Sequence, residues 1–509
     1  MKNKYPAVPT YSLVLFLFFS NSYALTNFSG SVKSRFERGE EVNPYLFADY
    51  PNNLSERNFF ELYISSELNT TDIPFGGRLR LGLRLFEFQP SSVERRMQGL
   101  EYQRRLDKIY SQLNIGKWEI WLGDVYETYG RGLALNLMEN QDLYFDSGVR
   151  GGKINYNGGG WRVKTIAGES REGYLVNREQ LAAVNLENRS VKGMKLGLSN
   201  VYQRGVSLEE RFTPGAYFQI QRWGFTLFGE YAQTRDNKFD ELLGDGTYLN
   251  LNWGLMGAAV NLEYKYYKFG FDAFNGDSLV ENPFRTPPVV QREITTHLMS
   301  EHPHLPLTTD QVGFNAEISY SPWYWLFLTS SYSRASSHEG GNLFPSLKEE
   351  YKPFWEWFTE GELYPSDKTI VKFAFGMNEE ARPFYWRKKT GTLADITYYL
   401  SPFHSLTIGG ENMLVKDEIY DAEFQEWKIS MTLAKASVVS VNFLYQWTTE
   451  ELDDEDKEWP GGEIAFTLNS SNRLTMFFGR ERGGLKCTSG VCRPVQPFEG
   501  LRITLQSAF

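Results

Sequence analysis

An alternation of apolar and polar residues recurs in strand-sized segments along almost the whole chain, and this pattern most constrains the fold. In residues 78–85 the leucines take one face and the arginines the other. Residues 260–266, 371–377 and 440–447 repeat the pattern with valine, phenylalanine, tyrosine and tryptophan on the apolar face. Because successive side chains of a strand point to opposite faces, each segment is predicted to be a strand with one apolar and one polar face.

The composition indicates that the apolar faces meet lipid. Aromatic residues make up 16% of the chain, yet the chain is polar on average. No apolar run near 18 residues follows the N-terminal region, which argues against a transmembrane helix. A membrane barrel combines many aromatics with a polar mean, because only alternate residues face lipid. The net charge of -10 argues against nucleic acid as a partner.

The N-terminus has the order of a secretory signal peptide. Lys2 and Lys4 precede an apolar run at 13–19, and small residues lead to Ala24. Cleavage is predicted after Ala24, so that residues 1–24 are removed and residues 25–509 form a single outer-membrane domain.

The connections between the alternating segments are short and long in turn. Outer-membrane barrels place short turns toward the periplasm and long loops outside. Counting hairpins predicts an all-β, antiparallel, up-and-down transmembrane β-barrel of about 24 strands, within a range of 20 to 26, with loops that fill its lumen. Two of these strands are predicted at 254–266 and 267–274. The long connections are predicted at 39–56, 88–105, 127–149, 235–253, 275–309, 335–352, 449–460 and 483–496.

The last predicted strand ends on an aromatic residue. Leu501, Ile503, Leu505 and Phe509 share one parity. A terminal Phe509 on the lipid face resembles the recognition signal of the outer-membrane assembly machinery, which is therefore an expected partner together with membrane lipid.

The connection at 127–149 is too long to be left unstructured in a compact domain. Glycines flank Arg131 and allow the backbone to turn sharply there. We expect this segment to fold into the lumen as a plug; the alternative is an ordinary long surface loop. A barrel of about 24 strands would be wider than porins of about 16–18 strands, whose lumen is already a water channel. The loops at 275–309 and 88–105, the latter with Arg95, Arg96, Arg104 and Arg105, are further candidates to fill it.

The inward-facing positions carry both charges, which suits salt bridges to an inserted loop, and Arg131 is expected to pair with a lumenal carboxylate. The candidate lumen and plug residues are Asp124, Tyr126, Gly130, Arg131, Gly132, Glu139, Asp146, Arg150, Arg80, Arg84 and Glu119.

Other chemistry is weakly indicated. Cys487 and Cys492 are the two cysteines, and their spacing in an exported chain predicts a local disulfide. His297, His302 and His304 could bind a transition metal, but a solvated loop explains them better. The acidic run 450–456 is interpreted as a solvated surface. No cofactor and no catalytic residue are predicted.

The segment from Gly123 to Gly151 contains Gly123-Asp124-Val125-Tyr126, Tyr129-Gly130-Arg131-Gly132-Leu133, Glu139-Asn140, Asp146 and Arg150-Gly151. It resembles the hallmark of an uncharacterised family of exported outer-membrane proteins of diderm bacteria. The resemblance implies a barrel and supplies no substrate.

These observations predict a porin-like outer-membrane channel for passive or gated passage of an unidentified small solute. The alternative is a non-conducting barrel that serves as a receptor, scaffold or secretion partner. An enzyme is the least favoured class, since the histidines are not placed beside a nucleophile.

Overall fold

The computed structural model describes residues 26–43, 52–73, 76–170, 179–205, 210–236, 242–269, 282, 284–301, 304, 310–382, 385–451, 457–488 and 491–509. One antiparallel sheet of 24 strands dominates this part of the chain. In chain order, β1 to β24 are Thr26–Val42, Leu54–Ile73, Gly77–Gln89, Gln103–Ile115, Trp118–Val125, Val149–Gly158, Trp161–Ser170, Gln180–Asn188, Met194–Arg204, Glu210–Arg222, Phe225–Asp236, Leu242–Leu255, Ala258–Lys268, Asp310–Trp323, Leu326–Ser336, Phe354–Ser366, Thr369–Arg382, Tyr385–Ser401, His404–Asp417, Ala422–Lys435, Val439–Thr448, Glu458–Asn469, Asn472–Glu481 and Phe498–Ala508.

The sheet closes on itself. Each strand pairs with its neighbours in sequence, and β24 pairs with β1 from Glu41↔Phe498 to Ser31↔Ala508. Closure leaves no free edge whose backbone groups would lack partners, which a spanning sheet requires in lipid. The predicted up-and-down barrel of about 24 strands is therefore confirmed.

The two ends of the barrel differ in loop length. At one end the connections hold two to five residues, and at the other they range from two residues at 383–384 to 41 at 269–309. We refer to these as the short-turn end and the long-loop end. The predicted alternation of short and long connections holds for most of the chain, but the connections at 205–209, 237–241, 383–384 and 418–421 of the long-loop end are as short as the turns of the other end.

The outer face of the wall is apolar. Leu198, Phe443 and Phe478 are 63%, 52% and 73% exposed, whereas the alternate positions of the same strands are polar, small or buried. An exposed apolar belt of this extent is typical of a surface that meets another apolar phase.

Short elements lie between the strands at the long-loop end. Helix α1 is Ser92–Gln98 and helix α2 is His297–Ser300. Three two-stranded ribbons pair Thr128–Tyr129 with Leu135–Asn136, Glu139–Asn140 with Phe145–Asp146, and Gly484–Thr488 with Val491–Val495. Single 3-10 turns occupy Gln141–Leu143 and Glu349–Tyr351. Within the described ranges, none of the helices has the length and apolar character needed to cross a membrane.

One region of the predicted strand map is wrong. The predicted loop at 235–253 is mostly β12, and the predicted strands 254–266 and 267–274 are replaced by the end of β12 and by β13. Gly244 and Gly246 both lie within β12, where a β-carbon would collide with residue Phe269. The two errors cancel in the strand count, which is why the total was still correct.

Several predictions fall wholly or partly outside the described residues. They concern the signal peptide at 1–24, His302, the acidic run 450–456, of which 452–456 is not described, and the disulfide, because the side chains of Cys487 and Cys492 are not described. The backbone of their ribbon does place the two residues directly opposite each other, and the disulfide stays a prediction.

Candidate functional site inside the barrel

Residues 126–148, which connect β5 to β6, fold against the inner face of the wall. We call them the lumenal segment. Its side chains Tyr129, Leu133 and Leu135 are fully buried and share one apolar cluster with Val201 of β9 and Phe228 of β11. Both wall residues lie on the polar, inward-facing side of their strands. The segment thus reaches well beyond the strands that it connects.

The apex of the first ribbon is held by a buried wall carboxylate, Glu230 of β11. Its Oε2 accepts a hydrogen bond from the backbone N–H of Arg131 at 2.5 Å, and its Oε1 accepts one from Leu133 N–H at 3.1 Å. Gly130 adopts φ +57°, and a β-carbon there would lie 2.5 Å from Glu230 Oε2. Only glycine fits this turn without displacing the carboxylate.

The side chain of Arg131 takes a different course from the predicted one. Its guanidinium is exposed and lies 5.4 Å from the centre of the Phe228 ring, an arrangement suited to a cation–π contact. The predicted link between Arg131 and a lumenal carboxylate thus runs through the backbone amide of Arg131. Gly132, at φ +98°, completes the turn.

The second ribbon is fixed by ion pairs to the wall. Arg84 of β3 donates to both carboxylate oxygens of Glu139, one of them at 3.0 Å, and also donates to Asp107 at 2.7 Å. The ammonium of Lys108 on β4 bonds both Asp146 and the hydroxyl of Tyr126. Buried, hydrogen-bonded pairs of this kind strongly resist loss of one partner.

Glu127 anchors the start of the segment. Its carboxylate lies 2.7 Å from Lys164 Nζ on β7 and 3.3 Å from Lys153 Nζ on β6. Burial raises the pKa of this carboxyl, but the two ammonium groups together outweigh burial, so that the pKa lies below its ordinary value. Glu127 is therefore charged at neutral pH.

The tip of the second ribbon reaches strands on the other side of β5. Asp142 lies 3.1 Å from Lys33 of β1, and the Tyr144 ring packs edge-on against Phe88 of β3 at 5.3 Å. Together with the contacts to β11, the lumenal segment spans the inner wall from β1 to β11.

The β13–β14 loop continues along the inner wall where the lumenal segment stops. The amide groups of Asn282 and Gln203 of β9 exchange two hydrogen bonds of 3.1 Å. Arg292 bridges the carboxylates of Glu317 on β14 and Glu360 on β16. Farther on, Leu298 N–H donates to Glu411 of β19 at 2.9 Å. The described part of this loop, mainly 284–301, thus follows the wall from β9 to β19.

The two loops bind each other. The backbone N–H of Asn136 donates to the Phe284 carbonyl at 2.7 Å, and the Asn136 side chain bonds the hydroxyl of Thr286. Both loops therefore form one connected layer on the inner wall of the barrel.

The third candidate, the connection at 88–105, contributes α1. Arg57 of β2 is buried among Glu37 and Glu41 of β1 and Glu94 of α1, at 2.6, 2.5 and 3.2 Å. Arg95 and Arg96 of α1 are exposed. α1 is accordingly tied to the wall by its acidic residue, whereas the predicted role rested on the arginines.

The remaining predicted lumen residues divide into two groups. Arg80 donates to Asn69 at 2.9 Å, and Glu119 accepts from Gln112, Trp121 and Asn155; these bonds lie within the inner wall. Asp124 and Arg150 lie opposite each other on β5 and β6 and form an ion pair. Asp124 has the same parity in β5 as Leu122, whose side chain is exposed on the outer face. This placement corrects the expectation that Asp124 and Arg150 face the lumen.

The three described histidines of the long loops each meet a carboxylate. His297 contacts Glu301, His304 contacts Glu380 at 2.7 Å, and His338 contacts Asp310. His302 lies outside the described residues. Among the residues that the structure describes, no cluster of three or more His, Cys, Asp or Glu side chains is arranged to hold a metal.

The sequence placed Glu230 among the inward-facing carboxylates without singling it out as a partner of the segment, and it did not assign Lys108, Lys153 or Asn136 to the site. The alternation in β11 does place Glu230 inward, and the same counting places Lys108 inward on β4. No pattern in the sequence pairs them with residues 126–148, because such pairing depends on the path of the segment across the lumen.

Comparison with known proteins is consistent with this geometry. The model of a family described as "Family of unknown function (DUF6029)" matches residues 26–323 and 366–509. No curated protein matches the chain.

Several solved structures are similar to this chain. A chain of the E. coli P pilus tip assembly intermediate PapC-PapD-PapK-PapG is 10% identical with a TM-score of 0.52; the match covers 97% of this chain and 62% of that one. The siderophore receptor PirA from Pseudomonas aeruginosa is 10% identical with a TM-score of 0.43; the match covers 95% of this chain and 80% of that one. The outer membrane protein opdK from Pseudomonas aeruginosa is 11% identical with a TM-score of 0.40; the match covers 73% of this chain and 98% of that one. At these identities the likeness concerns the fold alone.

Proposed function

This chain belongs to the DUF6029 family, whose function is unknown, and on that premise we propose that it is an outer-membrane β-barrel that passes a small solute through a lumen narrowed by its own loops. The proposed role of residues 126–148 is that of a plug. Membrane lipid surrounds the barrel in this proposal, and the assembly machinery recognises Phe509, whose ring is exposed beside Phe28 of β1.

The observation that carries the proposal is the layer formed by the lumenal segment and the β13–β14 loop. These loops contact the inner wall from β1 to β19 and hydrogen-bond each other. A barrel of 24 strands without such a layer would leave an aqueous opening wider than that of porins. Such a layer inside the lumen limits the size of the solutes that pass.

The charge of the wall bears on selectivity. Inward-facing arginines and lysines such as Arg84, Lys108 and Lys164 are paired with carboxylates. Paired charges leave little net field for steering ions of one sign. We therefore propose weak ion selectivity, with size as the main filter, and no catalytic step.

A second candidate function is a permanently closed barrel that acts as a receptor, scaffold or secretion partner. The observation that favours it is the density of buried ion pairs on the lumenal segment, including those of Glu139, Asp146 and Glu127. A plug held by three such anchors would open rarely unless a partner displaced it.

Swelling of proteoliposomes in sugars of increasing size separates the two. The test compares the unaltered protein, a variant lacking residues 130–147, and a control lacking residues 340–347 of an outer loop. A size-limited channel predicts slow swelling with small sugars for the unaltered protein and the control, and faster swelling with larger sugars for the first deletion.

Swelling that is absent in the unaltered protein but present in the first deletion supports the closed barrel. Equal swelling of all three forms would contradict a plugging role for residues 126–148.

A further inference from the structure

The loop at 337–353, which connects β15 to β16, lies against the outer wall of the barrel. The hydroxyl of Tyr264 on β13 donates to the Leu343 carbonyl at 2.8 Å. Tyr264 occupies the outward register of β13, since its neighbour Lys265 is buried inside and Leu262 is 42% exposed outside. The loop therefore reaches back across β14, on the side opposite to the lumenal segment.

A second set of contacts fixes the base of the same loop to the outer wall. The His338 ring meets the Tyr266 ring edge-on at 4.4 Å, and its Nδ1 lies 2.5 Å from Asp310 Oδ1. Val312 occupies the outward register of β14 but is fully buried. A buried valine on this outward face indicates that the loop covers the outer wall there, near the long-loop end.

The tip of the loop presents three large apolar side chains to the outside. Leu343, Phe344 and Leu347 are 62%, 72% and 73% exposed. At the two sides of the tip, Glu339 pairs with Lys348 and accepts a hydrogen bond from Ser346 at 2.8 Å. The three side chains form one exposed apolar group between these contacts.

The apolar tip is continuous with the belt of the barrel. Next to Tyr264, on the side of the short-turn end, a row of outward residues crosses four adjacent strands. Its members are Leu262, Ala316, Tyr332 and Trp357. Tyrosine and tryptophan rings in such rows are typical of the boundary between headgroups and acyl chains. The tip begins at this boundary.

We propose that residues 337–353 form a membrane anchor, in which Leu343, Phe344 and Leu347 insert among the acyl chains of the lipid leaflet at the long-loop end. The occupant of this surface is lipid, because the surface extends a face that already meets lipid. The proposal rests on the membrane placement of the barrel under the proposed function and does not depend on solute passage.

Quenching by brominated lipid tests the proposal on the full-length chain. A fluorescent amino acid is incorporated at position 344, and the protein is reconstituted in phosphatidylcholine vesicles whose acyl chains carry bromine. Position 198 in the middle of the belt is the positive control. Position 350, an exposed glutamate on the same loop, is the matched negative control.

The anchor predicts that the fluorophore at 344 is quenched to the same extent as that at 198, whereas that at 350 is not. Quenching at 198 alone would overturn the anchor and leave the barrel in the membrane; a protein partner or a second copy on the tip would give this result. Absence of quenching at 198 would contradict the membrane placement itself.

Discussion

Removing the carboxylate of Glu230 should release the apex of the lumenal segment. In Glu230→Ala the backbone amides of Arg131 and Leu133 lose the acceptor that they now share at 2.5 and 3.1 Å. A buried donor left without its acceptor costs about 1–3 kcal/mol, so the loss of both hydrogen bonds amounts to about 2–6 kcal/mol. Since about 1.4 kcal/mol is a factor of ten, local opening of residues 128–136 should become more frequent by a factor of roughly 30 or more.

Amide hydrogen exchange of the reconstituted barrel measures this opening directly. Peptides that cover 128–136 should exchange far faster in Glu230→Ala, whereas peptides from β11 should change little. Glu263→Ala is the matched control, because Glu263 is an inward carboxylate of the same wall that bonds Tyr248 and Asn315. Equal exchange of 128–136 in the two variants would refute the assignment of Glu230 as the apex anchor.

Three further predictions concern the same structure. Gly130→Ala should accelerate swelling in larger sugars, whereas Gly116→Ala, at a similar φ of +56° but with open space for a β-carbon, should not; equal effects would mean that backbone strain alone acts. The pKa of Glu127 is lowered in the fold because Lys164 and Lys153 outweigh burial. The contribution of Glu127 to the stability of the lumenal segment is therefore complete above the pKa of the unfolded state and is lost as the pH falls through the lowered pKa. Exchange at 127–137 should therefore rise below pH ~4, and Glu127→Gln should show no such rise. The native protein should take up a maleimide only after reduction, and Cys487→Ser should expose one reactive thiol without reduction; labelling of the unreduced native protein would disprove the disulfide.

The wall could be predicted from sequence because a single physical rule applies to every strand. One face meets an apolar phase and the other meets water or protein, so the period of two persists from β1 to β24. The strand map failed at 235–253, which was predicted to be a loop. Gly244 and Gly246 in this stretch lie within β12 and make room there for Phe269.

The contents of the lumen could be predicted only in part. The length of the 127–149 connection and the glycines around Arg131 indicated an inward fold, but the partners depend on the path that the chain takes across the barrel. Counting by twos from Glu119 would have placed Asp124 on the outer face, where it meets Arg150. The motif around Arg131 directed the prediction to its own side chains. Glu230 lies outside that motif and binds the backbone of Arg131 and Leu133, so that no side chain of the motif indicates it.

Single-channel conductance in a planar bilayer reports how wide the lumen is. A variant lacking residues 130–147 should give larger current steps than the unaltered protein, while a variant lacking residues 340–347 should keep the original step size. Identical steps in all three, or a larger step in the outer-loop deletion alone, would contradict the claim that this barrel is narrowed from within by its own chain.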